Sequence, residues 1–281
     1  MCPRDLVQRY NIKTIMNDSH ENCGCGGVNF NVIPMSIYEA VVDRYGKIAS
    51  QCKEKKLVAD SCGCHSADFY NDDDLNELSE ETILSAMGNG NPVEISEINP
   101  GETVLDLGSG GGIDVFLAAN KVGDTGKVIG IDMTPEMVSI AQSNGRKMGI
   151  NNVIFKLGRI ETITELDESI DLLISNCVIN LSNNKDLVFN EIFRVLKPGG
   201  RFVISDRVTE KNLPEEILKS NEQWTSCVAG ADLKSRYLER LHDIGYSNVE
   251  ILREEFSFPK AEDNDHKKYI KDLTLRAWKP E

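Results

Sequence analysis

The chain has 281 residues, 27% of them charged, a formal net charge of −14 and a sequence pI near 4.8. That length and an apolar fraction of 40% support one large core with a small second lobe, and exclude a disordered chain. An acidic field repels a phosphate backbone, no apolar run of about eighteen residues spans a bilayer, and the charged opening MCPRDLVQRYNIK lacks a secretory h-region; nucleic-acid and membrane partners are set aside and a cytoplasmic location is expected.

The first thirty-five or so residues show no period and contain NDSHENCGCGGVNFN, a composition of loops. Ser36-Ile37-Tyr38-Glu39 reads as a capping box, the Ser oxygen accepting an early helix N–H and the Glu reaching back. The helix it opens carries Tyr38, Val41, Val42, Tyr45 and Ile48 on one stripe and is predicted to end near Lys56. A second loop, ADSCGCHSADFYNDDD, precedes a helix over about 79–87. From Glu102 the pattern becomes regular. Val104-Leu105-Asp106-Leu107 is a strand, glycines 108, 110, 111 and 112 a turn, and 113–120 a helix. Residues 128–131 are the second strand, and Thr134-Pro135-Glu136 starts the next helix with Thr as N-cap and Pro at its first position. Third and fourth strands follow at 153–157 and 172–175. A helix over 187–196 stops at Lys197-Pro198-Gly199-Gly200, and the fifth strand covers 201–205. Then come a helix over 232–244 closed by Gly245 and strands near 249–256 and 273–278. Strand–helix alternation of this kind predicts an α/β, doubly wound, mostly parallel sheet with helices on both faces. The expected divisions are 1–70, a cysteine-containing segment with a cap helix; 71–206, the core; and 207–281, which completes the sheet as a small C-terminal substrate-binding lobe.

Asp106-Leu107-Gly108-Ser109-Gly110-Gly111-Gly112 sits between a strand and a helix, where glycines let backbone N–H groups approach a ligand. The dinucleotide pattern would need glycine at Ile113, and no phosphate-loop Lys-Ser/Thr follows. The stretch resembles the S-adenosylmethionine loop of class I methyltransferases, a Rossmann-like family. The resemblance implies that Gly108, Ser109 and Gly110 cradle the cofactor and that Asp106 faces its methionine ammonium group. Asp132 ends the next strand, where a carboxylate can accept both ribose hydroxyls. The resemblance implies that Met133 packs on adenine and that residues 158–161, with Ile160 and Glu161, lie at the adenine edge.

Eight cysteines, Cys2, Cys23, Cys25, Cys52, Cys62, Cys64, Cys177 and Cys227, are many for a reducing compartment and suggest metal, metalloid or redox chemistry. Ser175-Asn176-Cys177-Val178-Ile179-Asn180-Leu181 follows the fourth strand. With GIDMTPEM at 130–137, RVLKPGG at 194–200 and the run Trp224-Thr225-Ser226-Cys227, it is similar to the arsenite methyltransferases, over about 41–241. The resemblance implies arsenic detoxification: methyl transfer from S-adenosylmethionine to trivalent arsenic held by Cys177 and Cys227, with Asn176 near the methyl. Trivalent arsenic is soft and prefers thiolates, and aligning its lone pair with the sulfonium methyl, rather than acid–base catalysis, should supply most of the rate.

The family's Gly-Cys-Gly step falls on Gly88-Asn89-Gly90 here, and Asn89 cannot be a soft ligand. A third thiolate then comes from Cys62 or Cys64, or the substrate needs only two thiolates, as methylarsenite does. Cys23-Gly-Cys25 with Cys62-Gly-Cys64-His65 lacks the usual Cys-x-x-Cys zinc spacing, so zinc is not expected. Expected partners are arsenite or methylarsenite as thiol conjugates and a thiol reductant, glutathione or thioredoxin; the chain is expected to be a monomer or weak dimer. Two other readings remain open: a small-metabolite C- or O-methyltransferase of the quinone-biosynthesis type, and a metalloid-binding protein without catalysis.

Overall fold

β1 (Thr103–Leu107) is buried on both faces from Val104 onward. A strand without polar alternation lies inside a sheet covered on both sides. The computed structural model describes residues 36–54, 69–262 and 265–281. Contacts divide the chain into two units, Met1–Pro34 and Met35–Glu281, the first lying outside the described residues. The described residues build an eight-stranded sheet: β1, β2 (Lys127–Asp132), β3 (Val153–Leu157), β4 (Ile170–Asn176), β5 (Leu196–Thr209), β6 (Asp232–Leu233), β7 (Ser247–Phe256) and β8 (Ile270–Trp278). Its order is β3-β2-β1-β4-β5-β8-β7, with β6 against β5. Strands β1 to β5 pair in parallel, and β8 runs antiparallel to both neighbours. The chain turns from one half of the sheet to the other between β1 and β4, the place where doubly wound sheets open a crevice at their carboxyl ends.

The two faces bury different residues because side chains alternate along a strand. Leu105 and Leu107 pack with Phe189, Ile192 and Val195 of one helix, Lys185–Val195, and with Tyr237 and Leu241 of another, Lys234–Ile244. Val104, Val128 and Ile174 pack on the other face against Phe116 and Ala118 of the helix Ile113–Val122 and Val138 of the helix Pro135–Met148. Each fully buried aliphatic side chain contributes about 1.5–3 kcal/mol. We name five helices α1 (Ile37–Lys53), α2 (Ile113–Val122), α3 (Pro135–Met148), α4 (Lys185–Val195) and α5 (Lys234–Ile244). No helix of the described residues is long and apolar enough to cross a membrane.

The capping box is formed as expected: Glu39 N–H bonds the Ser36 hydroxyl, and Ser36 N–H bonds the Glu39 carboxylate at 2.8 Å. Some bounds differ from expectation. α1 ends at Lys53 rather than near Lys56, and the 79–87 segment is helical only over Glu80–Leu84, where the Ser85 hydroxyl bonds back to the Thr82 carbonyl. The fifth strand runs from Leu196, which pairs with Ile170 of β4, to Thr209, because β8 pairs with it from Arg201↔Trp278 to Thr209↔Ile270. α5 starts two residues late, since Asp232 and Leu233 pair with the end of β5. Thr134 stands at the α3 N-cap without a side-chain cap bond, its N–H being taken by Asp132 at 2.8 Å.

Candidate active site

β1 and β4 are neighbours with Leu107 opposite Ser175, so Gly108 and Cys177 leave the sheet close together. Gly108 has φ +71°, and a Cβ there would lie 2.2 Å from Val178 Cγ2. Only glycine fits, and the turn stays open above the strand ends. A cleft runs from this turn to the thiols. Gly108, Gly110, Asp132, Met133, Gly158, Ile160 and Glu161 line one half; Tyr45, Met87, Asn176, Cys177, Leu181 and Cys227 line the other.

In the first half, Asp132 accepts Gly110 N–H at 2.9 Å and Thr134 N–H at 2.8 Å, one on each oxygen. Burial raises its carboxyl above the usual range, and these N–H groups oppose the rise. Two bonds leave further lone pairs on the carboxylate. Glu161 accepts Ser182 Oγ at 2.5 Å and Tyr38 hydroxyl at 3.0 Å, while the Arg159 guanidinium stacks 3.7 Å from the Tyr38 ring centre. Two expected cofactor residues do not line the cleft. Ser109 directs its buried hydroxyl toward β2, where a Cβ on Gly130 would come within 2.7 Å of it, and the hydroxyl has no partner among the described residues. Asp106 is buried beside Asp114, and burial, then the charges of Asp114 and Asp132, raise its carboxyl well above the ordinary value. Asp114 is itself pushed up to about 6 by burial, though it accepts Tyr70 hydroxyl at 2.8 Å. A glycine turn closed to side chains, a rim carboxylate, apolar Met133 and Ile160, and two acids beneath the turn fit a nucleoside with a cationic amino-acid tail, as S-adenosylmethionine is.

In the second half, Cys177 and Cys227 are free thiols, 5% and 1% exposed, in one cluster with Val41 and Leu181. Both have φ +59°, the left-handed region, which costs a non-glycine residue about 1–2 kcal/mol. Cys227 Sγ lies 3.6 Å from the Cys177 carbonyl oxygen, Asn180 Nδ2 3.5 Å from Cys177 Sγ, and Tyr45 hydroxyl 4.0 Å from Cys227 Sγ. The mutual interaction of the two thiols raises Cys177 and lowers Cys227, with the Arg207 guanidinium drawing both down and burial opposing. The pair thus loses its first proton on Cys227, a dithiol prepared for a soft electrophile.

Asn176 lines the cleft, but its amide is committed elsewhere: Nδ2 donates to Gly90 O at 2.8 Å and Oδ1 accepts Asn89 N–H at 3.0 Å. It fixes the 88–90 segment; a Cβ on Gly88 would come within 2.4 Å of its Oδ1. Asn89 does not line the cleft. Its Nδ2 bonds Asp272 at 2.8 Å, and its buried Oδ1 has no partner. Cys62, Cys64, Cys23 and Cys25 lie outside the described residues. Among the described residues, no three His, Cys, Asp or Glu side chains converge as a metal site would require. Tyr45, Asp114, Asn180 and Arg207 were not singled out from sequence. Tyr45 reads as one more apolar stripe position and Arg207 falls just past the expected fifth strand; only Asn180, inside the cysteine string, carries a signal.

The methyltransferase domain family matches residues 98–248. The arsenite methyltransferase of Halobacterium salinarum is 40% identical over 265 residues, covering 88% of this chain and 68% of that protein. The arsenite methyltransferase of Aquipseudomonas alcaligenes is 35% identical, covering 69% of this chain and 58% of that one. The crystal structure of an arsenic(III) S-adenosylmethionine methyltransferase from Chlamydomonas reinhardtii superposes with a TM-score of 0.66 at 33% identity, covering 74% of this chain and 72% of that one. The chain thus spans between just over half and about two thirds of the length of the curated relatives named here. With 40% identity over 88% of this chain and 68% of the Halobacterium salinarum enzyme, the chain belongs to the arsenite methyltransferase family.

Proposed function

We propose that this protein methylates trivalent arsenic from S-adenosylmethionine, with Cys177 and Cys227 as the arsenic ligands. The observation that carries this reading is the shared cleft: the buried dithiol and the glycine turn line one cavity. S-adenosylmethionine supplies an electrophilic methyl group. The two thiolates hold arsenic in a pyramid with its lone pair directed along the cleft toward Gly108 and Gly110, and the apolar walls Val41 and Leu181 exclude water. The arsenic lone pair forms the new As–C bond as the methyl C–S bond breaks, so arsenic passes from the trivalent to the pentavalent state. S-adenosylhomocysteine leaves, and two glutathione thiols or one thioredoxin dithiol, oxidised to a disulfide, supply the two electrons that return arsenic to the trivalent state. Alignment carries the rate; no proton needs to move at the reacting atoms.

Gly108 and Gly110, lacking side chains, let the cofactor lie against the backbone of the turn, and Asp132 receives its ribose hydroxyls, with Met133, Ile160 and Glu161 around the base. Asp106 and Asp114 act from beneath the turn on the cationic tail. The tasks divide along the chain as 1–70 for the cysteine-bearing cap, 71–206 for the cofactor core and 207–281 for the rest of the sheet and the second thiol. Asn89 is tied to Asp272 outside the cleft, so the site offers two sulfurs unless Cys62 or Cys64 joins them. Methylarsenite, with one carbon already on arsenic, needs only two and is the preferred substrate.

The test uses purified protein, methyl-labelled cofactor and a thiol reductant, with arsenite and methylarsenite in parallel. Labelled methylarsenicals are expected, with kcat/KM at least about tenfold higher for methylarsenite, and Cys177→Ser or Cys227→Ser should reduce turnover by two orders of magnitude or more. Undiminished turnover in either variant would remove the dithiol from the mechanism.

A further inference from the structure

Asn180 lies in the turn Ile179–Leu181 and is 0% exposed. Its backbone is held on every side. Lys185 Nζ donates to its carbonyl at 3.2 Å, the Asp206 carboxylate accepts its N–H, and a Cβ on Gly230 would lie 1.9 Å from its carbonyl oxygen. Against that fixed backbone the side chain's Nδ2 donates to Cys177 Sγ at 3.5 Å, and its buried Oδ1 has no partner among the described residues. Leucine has nearly the same size and would fill this space without orphaning an oxygen. What the amide adds is therefore its N–H toward sulfur.

That donor matters most once arsenic is bound. A ligating sulfur has lost its proton, keeps partial negative charge and sits in a cluster with Val41, Leu181 and Trp224. Burying such charge without a donor is costly, and N–H groups around a ligating atom orient it and adjust its basicity. Resting on the reading that Cys177 binds arsenic, we propose that Asn180 is a positioning residue. Its N–H···S bond holds the Cys177 sulfur in its ligating orientation and favours the arsenic-bound form. Asn180 acts through Cys177, without touching arsenic or the cofactor.

The experiment titrates the full chain with methylarsenite, without S-adenosylmethionine, following the fluorescence of Trp224, whose indole is anchored to Leu181 O at 2.8 Å beside the dithiol. Asn180→Leu removes the donor at constant size; Asn180→Asp replaces it with an acceptor and serves if the leucine variant fails to fold. Either should weaken methylarsenite binding about tenfold, the worth of one hydrogen bond to a charged group. Affinity for S-adenosylhomocysteine should stay within about twofold, a readout that a general loss of structure would move. In a Cys177→Ala background, Asn180→Leu should add no further loss. Wild-type affinity in both Asn180 variants, an equal loss in the Cys177→Ala background, or a parallel fall in S-adenosylhomocysteine affinity would overturn the proposal. If Cys177→Ala itself binds methylarsenite like the wild type, the dithiol reading fails instead, and this proposal with it.

Discussion

Cys177 and Cys227 show how far a single residue can be read from sequence. The string around Cys177 singles it out as a ligand candidate, but the thiol of Cys227 against its carbonyl and the guanidinium of Arg207 come from segments fifty and thirty residues away in the chain. Asp206 makes the same point and carries a prediction. It is 1% exposed, accepts bonds from Arg207 N–H and the Tyr237 hydroxyl, and burial pushes its carboxyl up to about 7 from an ordinary 3.8. Between those values the folded chain holds a proton that the unfolded chain has released. Folding takes up a proton there, and stability falls as pH rises through the window. Asp206→Asn cannot ionise. Relative to wild type, its unfolding free energy should rise by on the order of 2 kcal/mol between about pH 5 and pH 8. Urea denaturation at the two values measures this, and a constant difference would show that Asp206 ionises normally.

Among the elements, α1 joins site and scaffold. Its stripe was legible as a 3.6-residue period, and the helix divides that stripe between two tasks. Tyr38, Val41 and Tyr45 line the cleft, while Ile48, Ala49 and Cys52 pack against Met137 and Ile140 of α3. Periodicity reveals that a face is buried, not which neighbour buries it. Ile48→Ala should cost about 2–4 kcal/mol by opening a cavity at a residue 4% exposed. Amide hydrogen exchange in α1 should rise before that of β1 or β4. Since α1 supplies a wall of the cleft, affinities for methylarsenite and S-adenosylhomocysteine should both fall; unchanged exchange in α1 would mean the helix is held from elsewhere. The fifth strand teaches a similar lesson. Its Pro198-Gly199-Gly200 reads as a stop, yet Leu196 pairs with Ile170 of β4, and Gly199 and Gly200 bond the backbone of Lys279, so tertiary pairing overrides the local signal.

At the scale of the molecule, the cleft exists because β1 and β4 are neighbours at the switch point and because α1 and the 224–227 turn come over their ends. A ligand bridging these segments must stabilise all of them together. S-adenosylhomocysteine at about one hundred times its Kd should add about 2.7 kcal/mol to the folding free energy. Cys177→Ser and Cys227→Ser should show the same rise in Tm, because the cofactor half of the cleft does not use the thiols; loss of the rise in those variants would join the two halves into one site.

The sequence by itself determined the parallel α/β sheet, the glycine turn, Asp132 and the two cysteines, because strand and helix periods, turn glycines and a local string are properties of short stretches. Tertiary structure decided the rest. It turned Ser109 away from the cleft, tied Asn89 to Asp272, committed the amide of Asn176 to the 88–90 segment, and set Asn180, Tyr45 and Arg207 around the thiols. Each of those outcomes depends on which distant backbone supplies a hydrogen-bond partner or a charge once the core has closed, and no window of neighbouring residues carries that information.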